Sequence, residues 1–141
     1  MNVLVDSTVW SLALRRGAPR QEPAVAELAE LIREMRAELV GAVRQEVLSG
    51  VRTKEQFERL RDTLRAFPDL ELVTGDYERA AEFYTACRRH GIQGSNTDFL
   101  LCAVAERHGL AILTTDQDFG LFARHLPMTL HEARPAPDAT D

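Results

Sequence analysis

The chain has 141 residues, of which 45% are hydrophobic and 28% charged, which is enough for one globular domain with a single core. Its formal net charge of -5 at pH 7 argues against nonspecific coating of nucleic acid or of a membrane surface. The cysteines, Cys87 and Cys102, have no metal-binding spacing and lie in apolar patterns, so we predict buried free thiols in a reducing compartment.

The first half of the chain begins with a short apolar run over 3–6, which predicts a buried strand. Ser7 is expected to cap a helix over 8–14, and glycine and proline then predict a loop over 17–23. Amphipathic spacing predicts the next helix over 24–34. The elements expected after it are a strand over 39–40, a helix over 41–49 and a helix over 54–66 that Thr53 caps.

The second half repeats this alternation. A possible strand over 70–73 precedes a helix from Asp76 to His90, and Gly91 ends that helix. The elements expected after it are a helix over 97–108, a strand over 110–114, a short helix over 118–124 and an edge strand over 128–130. This pattern predicts one α/β domain over 1–133, with a mostly five-stranded parallel sheet and helices on both faces. Residues 134–141 are predicted to be a disordered tail.

Membrane association is not expected. No segment approaches the roughly 20 apolar residues of a membrane span. The start of the chain has no basic region, and its apolar run is too short for a signal peptide. We therefore expect a cytoplasmic protein.

Four acidic residues lie at the ends of predicted elements. Asp6 and Asp116 each follow a strand, and the carboxyl ends of parallel strands meet at one edge of the sheet. Asp98 falls in the first turn of the helix that precedes the second of these strands. Glu46 is expected on the apolar face of its own helix, beside Val43. We therefore expect the four carboxylates to converge.

Each acid also has an ordinary structural explanation. Asp6 could be a loop residue or a helix N-cap, and Asp98 is favoured in a first turn by the helix dipole. Asp116 or Asp118 could cap the short helix that follows, and Glu46 would be exposed if the helix phase differs. The four together are harder to explain in this way than any one alone.

A carboxylate is costly to bury unless it is paired, protonated or bound to a metal. These segments carry no cluster of basic residues, so a divalent cation is the simplest counter-charge. Hard oxygen ligands select Mg²⁺ or Mn²⁺, which can promote hydrolysis of a phosphodiester. The sequence leaves the number of metal ions open.

Four segments carry a family resemblance and span the chain to about residue 130. They are VLVDSTVW at 3–10, QEVLSG at 45–50, NTDFLLCAVA at 96–105 and LTTDQDF at 113–119. In their order and spacing they resemble the PIN-domain ribonucleases, and within them the VapC-type toxins of toxin–antitoxin pairs. The resemblance implies a PIN-like α/β fold and an endoribonuclease that depends on Mg²⁺ or Mn²⁺.

The resemblance also implies roles for individual residues. The residues that match the family's catalytic and metal-binding acids are Asp6, Glu46, Asp98 and Asp116. Asp118 matches a second acid whose role is less certain. Ser7 and Thr115 match polar positions that could orient water or carboxylates. Asn96 is expected to line the same pocket, although it is equally a candidate helix N-cap.

The resemblance further implies three partners: an RNA substrate, a cognate antitoxin that covers the site, and a second copy of the chain in a homodimer. Structured RNA loops are the expected target, because a metal must reach one exposed phosphate. The arginines near the expected edge of the site are Arg15, Arg16, Arg44 and Arg52. The family fixes no RNA-binding role for them, and solvated surface positions are favoured.

Other functions stay open. A receiver-type phosphotransfer module also has aspartates at strand ends, but it needs a lysine at a late strand end, and the only lysine here is Lys54. A haloacid-dehalogenase-like phosphatase needs an acid two residues after the first aspartate, where this chain has Thr8. A noncatalytic PIN-fold interaction protein is the third possibility, and the intact set of acids argues against it.

Overall fold

A single parallel sheet organises the computed structural model, which describes residues 1–15 and 22–135. Its strands are β1 (Val3–Val5), β2 (Ala37–Glu38), β3 (Ala111–Leu113) and β4 (Thr129–Leu130). They lie in the order β2-β1-β3-β4, with each neighbouring pair parallel. The three residues of β1 are buried, as expected for a strand covered on both faces of a parallel sheet.

Helices flank this sheet. They are α1 (Ser7–Trp10), which continues as a π-helical turn over Ser11–Arg15, α2 (Pro23–Arg33), α3 (Gly41–Ser49), α4 (Lys54–Leu64), α5 (Thr74–Arg89), α6 (Asn96–His108) and α7 (Asp118–His125). Every residue of α6 from Phe99 to Ala105 is buried, because this helix packs against both β3 and α5. The mixed α/β architecture that the sequence predicts is therefore confirmed.

The buried apolar side chains form one continuous core. Its largest fully buried side chains include Trp10, whose indole N–H donates to the carbonyl of Val5. Cys87 and Cys102 are buried free thiols, as predicted. Within the described residues no helix combines the length and the apolar character that a membrane crossing requires.

The prediction of a fifth strand over 70–73 is wrong, and the sheet has four strands. The only pairing near this segment is an isolated parallel bridge between Leu39 and Asp69, with one bond from Leu70 N to the carbonyl of Leu39. The ladder cannot extend because Val73 N instead donates to the side chain of Asp76 at the start of α5. The segment therefore enters a helix before it can form a strand.

Several predicted boundaries shift for identifiable reasons. The second strand is Ala37–Glu38 rather than 39–40, because the carbonyl of Val40 already accepts the first hydrogen bonds of α3. Asp6, not Ser7, is the N-cap of α1. Asp76 is the third residue of α5 rather than its cap.

The predicted 41–49 helix is confirmed as α3, and the Thr53 cap of α4 is also confirmed. Most of the predicted 17–23 loop lies outside the described residues.

The predicted tail does not begin at residue 134. The Arg134 guanidinium donates to the carboxylates of Glu27 and Glu34 on and just after α2, at 2.7 to 3.0 Å. His131 also contacts Glu27, which is only 2% exposed. We call Glu27, Glu34, His131 and Arg134 the Glu27 cluster. It ties the end of the domain to α2, while residues 136–141 lie outside the described residues.

Replacing Glu27 by glutamine is expected to destabilise the fold by about 2 kcal/mol at pH 7, since two basic side chains lose a buried partner. Burial raises the pKa of Glu27, but hydrogen bonds from His131 and Arg134 outweigh it, so its net pKa is lowered. This stabilisation is therefore present above the unfolded value of about 4.5 and is lost as the pH falls through the lower folded pKa. Urea unfolding at pH 7 and below pH 4 measures it.

The control is Glu30→Gln, which changes an exposed glutamate of the same helix that pairs only with Arg33. This variant should lose little stability, because an ion pair in water contributes little. Equal effects of the two substitutions would show that the Glu27 cluster contributes nothing beyond a surface ion pair.

Candidate active site

Asp6 lies at the carboxyl end of β1 and is only 3% exposed. Its Oδ1 accepts a hydrogen bond from Ser7 N at 2.8 Å. Its Oδ2 accepts from Thr114 Oγ1 at 2.8 Å and from Thr8 Oγ1 at 3.1 Å. The backbone N–H of Asp6 donates to the carbonyl of Leu113 at the end of β3. The two central strands therefore hold this carboxylate at the edge of the sheet.

Ser7 connects Asp6 to Glu46. Its hydroxyl donates to Glu46 Oε2 at 2.8 Å and lies 3.5 Å from Asp6 Oδ1. The prediction that Glu46 shares the apolar face of its helix is wrong, because Glu46 is exposed while Val43 and Val47 are buried. Glu46 lies beside the apolar face, where its carboxylate can reach both Ser7 and solvent.

Asp98 and Asp116 have the helix-capping contacts that their positions allow. Asp98 is the third residue of α6, and its Oδ2 accepts from Ser95 N at 2.9 Å in a capping box. Asp116 Oδ1 accepts from Asp118 N at 2.9 Å at the start of α7. Asp116 N donates to the same Thr114 hydroxyl that binds Asp6. Both aspartates can therefore make these helix-end contacts and also belong to the group of acids.

The electrostatics show that these acids lie near one another. Burial raises the pKa of Asp6, and the charge of Glu46 raises it further, against the hydrogen bonds from Thr114, Ser7 and Thr8. Burial also raises the pKa of Asp98, and the charges of Asp6 and Asp116 add to it. Shared contacts through Ser7 and Thr114, together with these effects of charge, place four acids in one region of the sheet edge. We call Asp6, Glu46, Asp98 and Asp116 the acidic quartet.

The acidic quartet has oxygen donors and no basic partner. Within the described ranges, no arginine, lysine or histidine forms an ion pair with any of its members. Carboxylates and hydroxyls are the ligands that Mg²⁺ and Mn²⁺ prefer, so the donor set fits such a cation. In residues 1–15 and 22–135 no three acidic, histidine or cysteine side chains are already arranged to hold a metal. Each carboxylate of the quartet instead accepts a hydrogen bond from the protein.

A cavity of about 330 Å³ opens beside the acidic quartet. Its lining residues are Ser7, Thr8, Ser11, Leu12, Arg15, Glu46 and Thr115. A larger cavity of about 620 Å³ lies between α5 and α7, and none of the quartet lines it. Glu46 lines the smaller cavity together with Ser7 and Thr8, whose hydroxyls contact Asp6, so we place the chemistry there.

The supporting residues differ in part from those expected. Ser7 binds two quartet carboxylates, and Asp118 supports Asp116 through its backbone N–H. Thr115 lines the cavity and its N–H donates to Thr8 Oγ1. Asn96 is not the N-cap of α6, which is Ser95, and it lines a different cavity beside Tyr77.

Sequence reasoning missed Thr8 and Thr114, the two hydroxyls that donate to Asp6. Thr114 follows β3 directly, so it lies next to the residue that follows β1. Pairing the predicted ends of the two strands could have identified it. Sequence reasoning instead named the next residue, Thr115.

Comparison with known proteins agrees with this fold. The PIN domain family model matches residues 3–124. Ribonuclease VapC11 from Mycobacterium tuberculosis is 30% identical over 126 residues, covering 86% of this chain and 92% of that protein.

Two solved structures share the fold. "Crystal Structure of FitAcB from Neisseria gonorrhoeae" matches with a TM-score of 0.72 and 21% identity, covering 92% of this chain and 96% of that chain. VapBC2 from Rickettsia felis, bound to a DNA fragment from its promoter, matches with a TM-score of 0.72 and 17% identity, covering 95% and 100%. Fold, site and family model together show that this chain belongs to the PIN-domain family, in which its curated relatives are VapC ribonucleases.

Proposed function

We propose that this protein is a toxin-type endoribonuclease that hydrolyses RNA phosphodiester bonds with Mg²⁺ or Mn²⁺. The observation that carries the proposal is the acidic quartet, which gathers at the carboxyl edge of the sheet beside an open cavity without a basic partner. The relatives named VapC ribonucleases support the same activity. A receiver-type module also gathers aspartates, but it needs a lysine at a late strand end, and the only lysine of this chain, Lys54, begins α4. A purely structural role would give no reason for four acids in one place.

The side chains that would hold the cation are Asp6, Glu46, Asp98 and Asp116. When bound, a divalent cation would activate water for attack and stabilise the charge that develops on the phosphodiester. The cation would also remove the mutual repulsion of the carboxylates, which otherwise opposes the approach of RNA.

The surrounding hydroxyls would orient the carboxylates. Thr8 and Thr114 both donate to Asp6 Oδ2, so the orientation of Asp6 is fixed by two strand ends and one helix. Ser7 donates to Glu46 and can keep it facing Asp6. Such supporting hydrogen bonds usually change metal affinity or activity by about 10- to 100-fold when removed.

The substrate we propose is RNA in a structured loop. The site lies at the edge of a sheet beside an open cavity, so it can accept a strand whose phosphate projects outward. Paired RNA presents its phosphates on a stiff A-form helix, whereas loops can splay a single phosphate into such a site.

Cleavage of total transfer RNA by the purified protein tests the proposal. We expect cleavage with Mg²⁺ or Mn²⁺, none with a chelator, and recovery when the cation is restored. Sequencing the new ends would identify the target. Equal cleavage in a chelator would contradict metal dependence, and the absence of cleavage of transfer and ribosomal RNA in either cation would contradict the ribonuclease function.

We also propose an antitoxin partner and a homodimer. The structural relatives include toxin–antitoxin complexes, which supports the first. Tyr77 and Tyr84 are 58% and 37% exposed on α5, an apolar surface that a second copy could cover. Light scattering of the purified chain should give twice the monomer mass, and a monomer at micromolar concentration would contradict the dimer.

A further inference from the structure

Gly50, in the segment at 45–50, has no backbone reason to be glycine. It follows α3 with φ -83° and ψ -8°, values that any residue adopts. A Cβ at this position would lie 1.4 Å from Arg15 Nη1 and 2.6 Å from Arg15 Cζ. Gly50 therefore leaves open the space that the Arg15 guanidinium occupies.

Arg15 lies at the rim of the cavity beside the acidic quartet. Ser7, Ser11 and Arg15 are spaced four residues apart on the helical segment that follows β1, and all three line this cavity. Arg15 also lines a neighbouring cavity of about 220 Å³ together with Gln56 and Arg59. The guanidinium thus stands between the candidate active site and a second polar depression.

Arg44, another arginine near the site, is less suited to bind a ligand. Arg44 already donates to the Asp69 carboxylate and to the carbonyls of Leu64 and Phe67. Arg16 lies outside the described residues. Across the described ranges no carboxylate pairs with Arg15, even though Glu46 lines the same cavity. Its fork of N–H donors is therefore available.

We propose that Arg15, seated over Gly50, binds an RNA phosphate next to the scissile one and draws the strand into the acidic cavity. The inference rests on the proposed ribonuclease function. A guanidinium matches the geometry of a phosphate in two parallel hydrogen bonds. A fixed positive charge at the rim offsets the repulsion that four acids exert on an RNA backbone. Arg15 is a binding residue, so its effect should appear in KM rather than in kcat.

Arg15→Gln is expected to raise KM for total transfer RNA about tenfold with little change in kcat, because the charged contact with the phosphate is lost. Arg15→Lys should give an intermediate KM, because it keeps the charge and loses the fork. Gly50→Ala should also raise KM, since it displaces the guanidinium without removing it. Arg15 terminates a helical segment, and thermal unfolding checks that each variant folds.

Salt dependence gives a readout that a structural role would not change. We would measure the affinity for a labelled single-stranded RNA from about 50 to 200 mM salt. A plot of log affinity against log salt should be shallower by about 0.7 for Arg15→Gln than for wild type. The matched control is Arg33→Gln, which removes the same charge from the last turn of α2. This turn precedes β2 and lies at the amino edge of the sheet, opposite the candidate active site. This control should keep the wild-type slope and KM.

The outcomes separate the two proposals. If wild type cleaves RNA and Arg15→Gln keeps both KM and salt slope, the Arg15 inference is overturned while the ribonuclease function stands. If wild type does not cleave but binds RNA with an Arg15-dependent slope, the function fails and the phosphate contact stands. If it neither binds nor cleaves RNA, both are overturned.

Discussion

Replacing Asp6 by asparagine is expected to lower the rate of RNA cleavage by at least about 100-fold while the fold stays intact. Asn keeps the shape of the side chain and can still accept from Ser7 N, so the N-cap of α1 survives. It loses the charge that a cation requires, and its amide N–H₂ is a donor that can accept from neither threonine hydroxyl. Initial rates on total transfer RNA, together with circular dichroism, measure the two effects separately.

Asp76→Asn is the matched control. Asp76 is also buried, at 2% exposed, but it belongs to α5 and accepts two hydrogen bonds from Arg107. This variant should lose about 2 kcal/mol of stability because the charged pair is broken, and should keep wild-type cleavage per folded molecule. We therefore expect opposite results: Asp6→Asn loses cleavage and keeps the fold, whereas Asp76→Asn keeps cleavage and loses stability. Loss of cleavage in both variants, or in neither, would contradict the assignment of Asp6 to the site.

Mg²⁺ or Mn²⁺ is expected to stabilise the wild-type protein without any RNA. A ligand that binds only the folded state adds about 2.7 kcal/mol at a hundredfold excess over its dissociation constant. The gain should be clear here because the cation also relieves repulsion among four carboxylates, two of which have raised pKa values through burial and neighbouring charge. Thermal unfolding with cation and with chelator measures this gain as several degrees.

Asp98→Asn should lose most of this stabilisation, because it removes one of the four acids that would hold the cation. Asp76→Asn should keep it, although its starting stability is lower. An unchanged unfolding temperature in wild type, under conditions where RNA is cleaved, would show that the cation binds with the substrate rather than to the acidic quartet alone.

Local patterns predicted most of the fold that positions this site. The apolar run after the first two residues and the run before Thr114 became the two central strands, and the helix ends at Thr53 and Gly109 were read correctly. These features depend on residues close in sequence, such as a cap or a glycine at φ 66°. The placement of Asp6 and Asp116 at neighbouring strand ends followed from the rule that parallel strands end at one edge.

The errors depended on contacts between distant segments. Residues 70–73 have strand-like composition, but a strand needs a partner with free backbone groups, and Asp76 takes the N–H of Val73 instead. Arg134 looked like part of a polar tail, yet its partners Glu27 and Glu34 lie about a hundred residues earlier in the chain. No local pattern reports such pairings.

The detailed geometry of the site could not be predicted from sequence either, because it also depends on contacts between distant segments. Whether Thr114 or Thr115 faces Asp6 depends on where β3 ends, because a shift of one residue turns a side chain to the opposite face. Glu46 illustrates the corresponding problem on a helix: it is exposed although Val47 beside it in sequence is buried. Sequence placed the acids in one region, and only the fold showed which hydroxyls hold them.

The position of Mn²⁺ in crystals of the protein tests the central claim most directly. We expect an anomalous scattering peak at the carboxyl edge of the sheet, with oxygens of Asp6 and of other quartet members at about 2.1 Å. The same protein should cleave RNA with Mn²⁺ in solution. A protein that cleaves RNA with Mn²⁺ but places the ion elsewhere, or a fully occupied Mn²⁺ site away from these carboxylates, would contradict the acidic quartet as the catalytic centre.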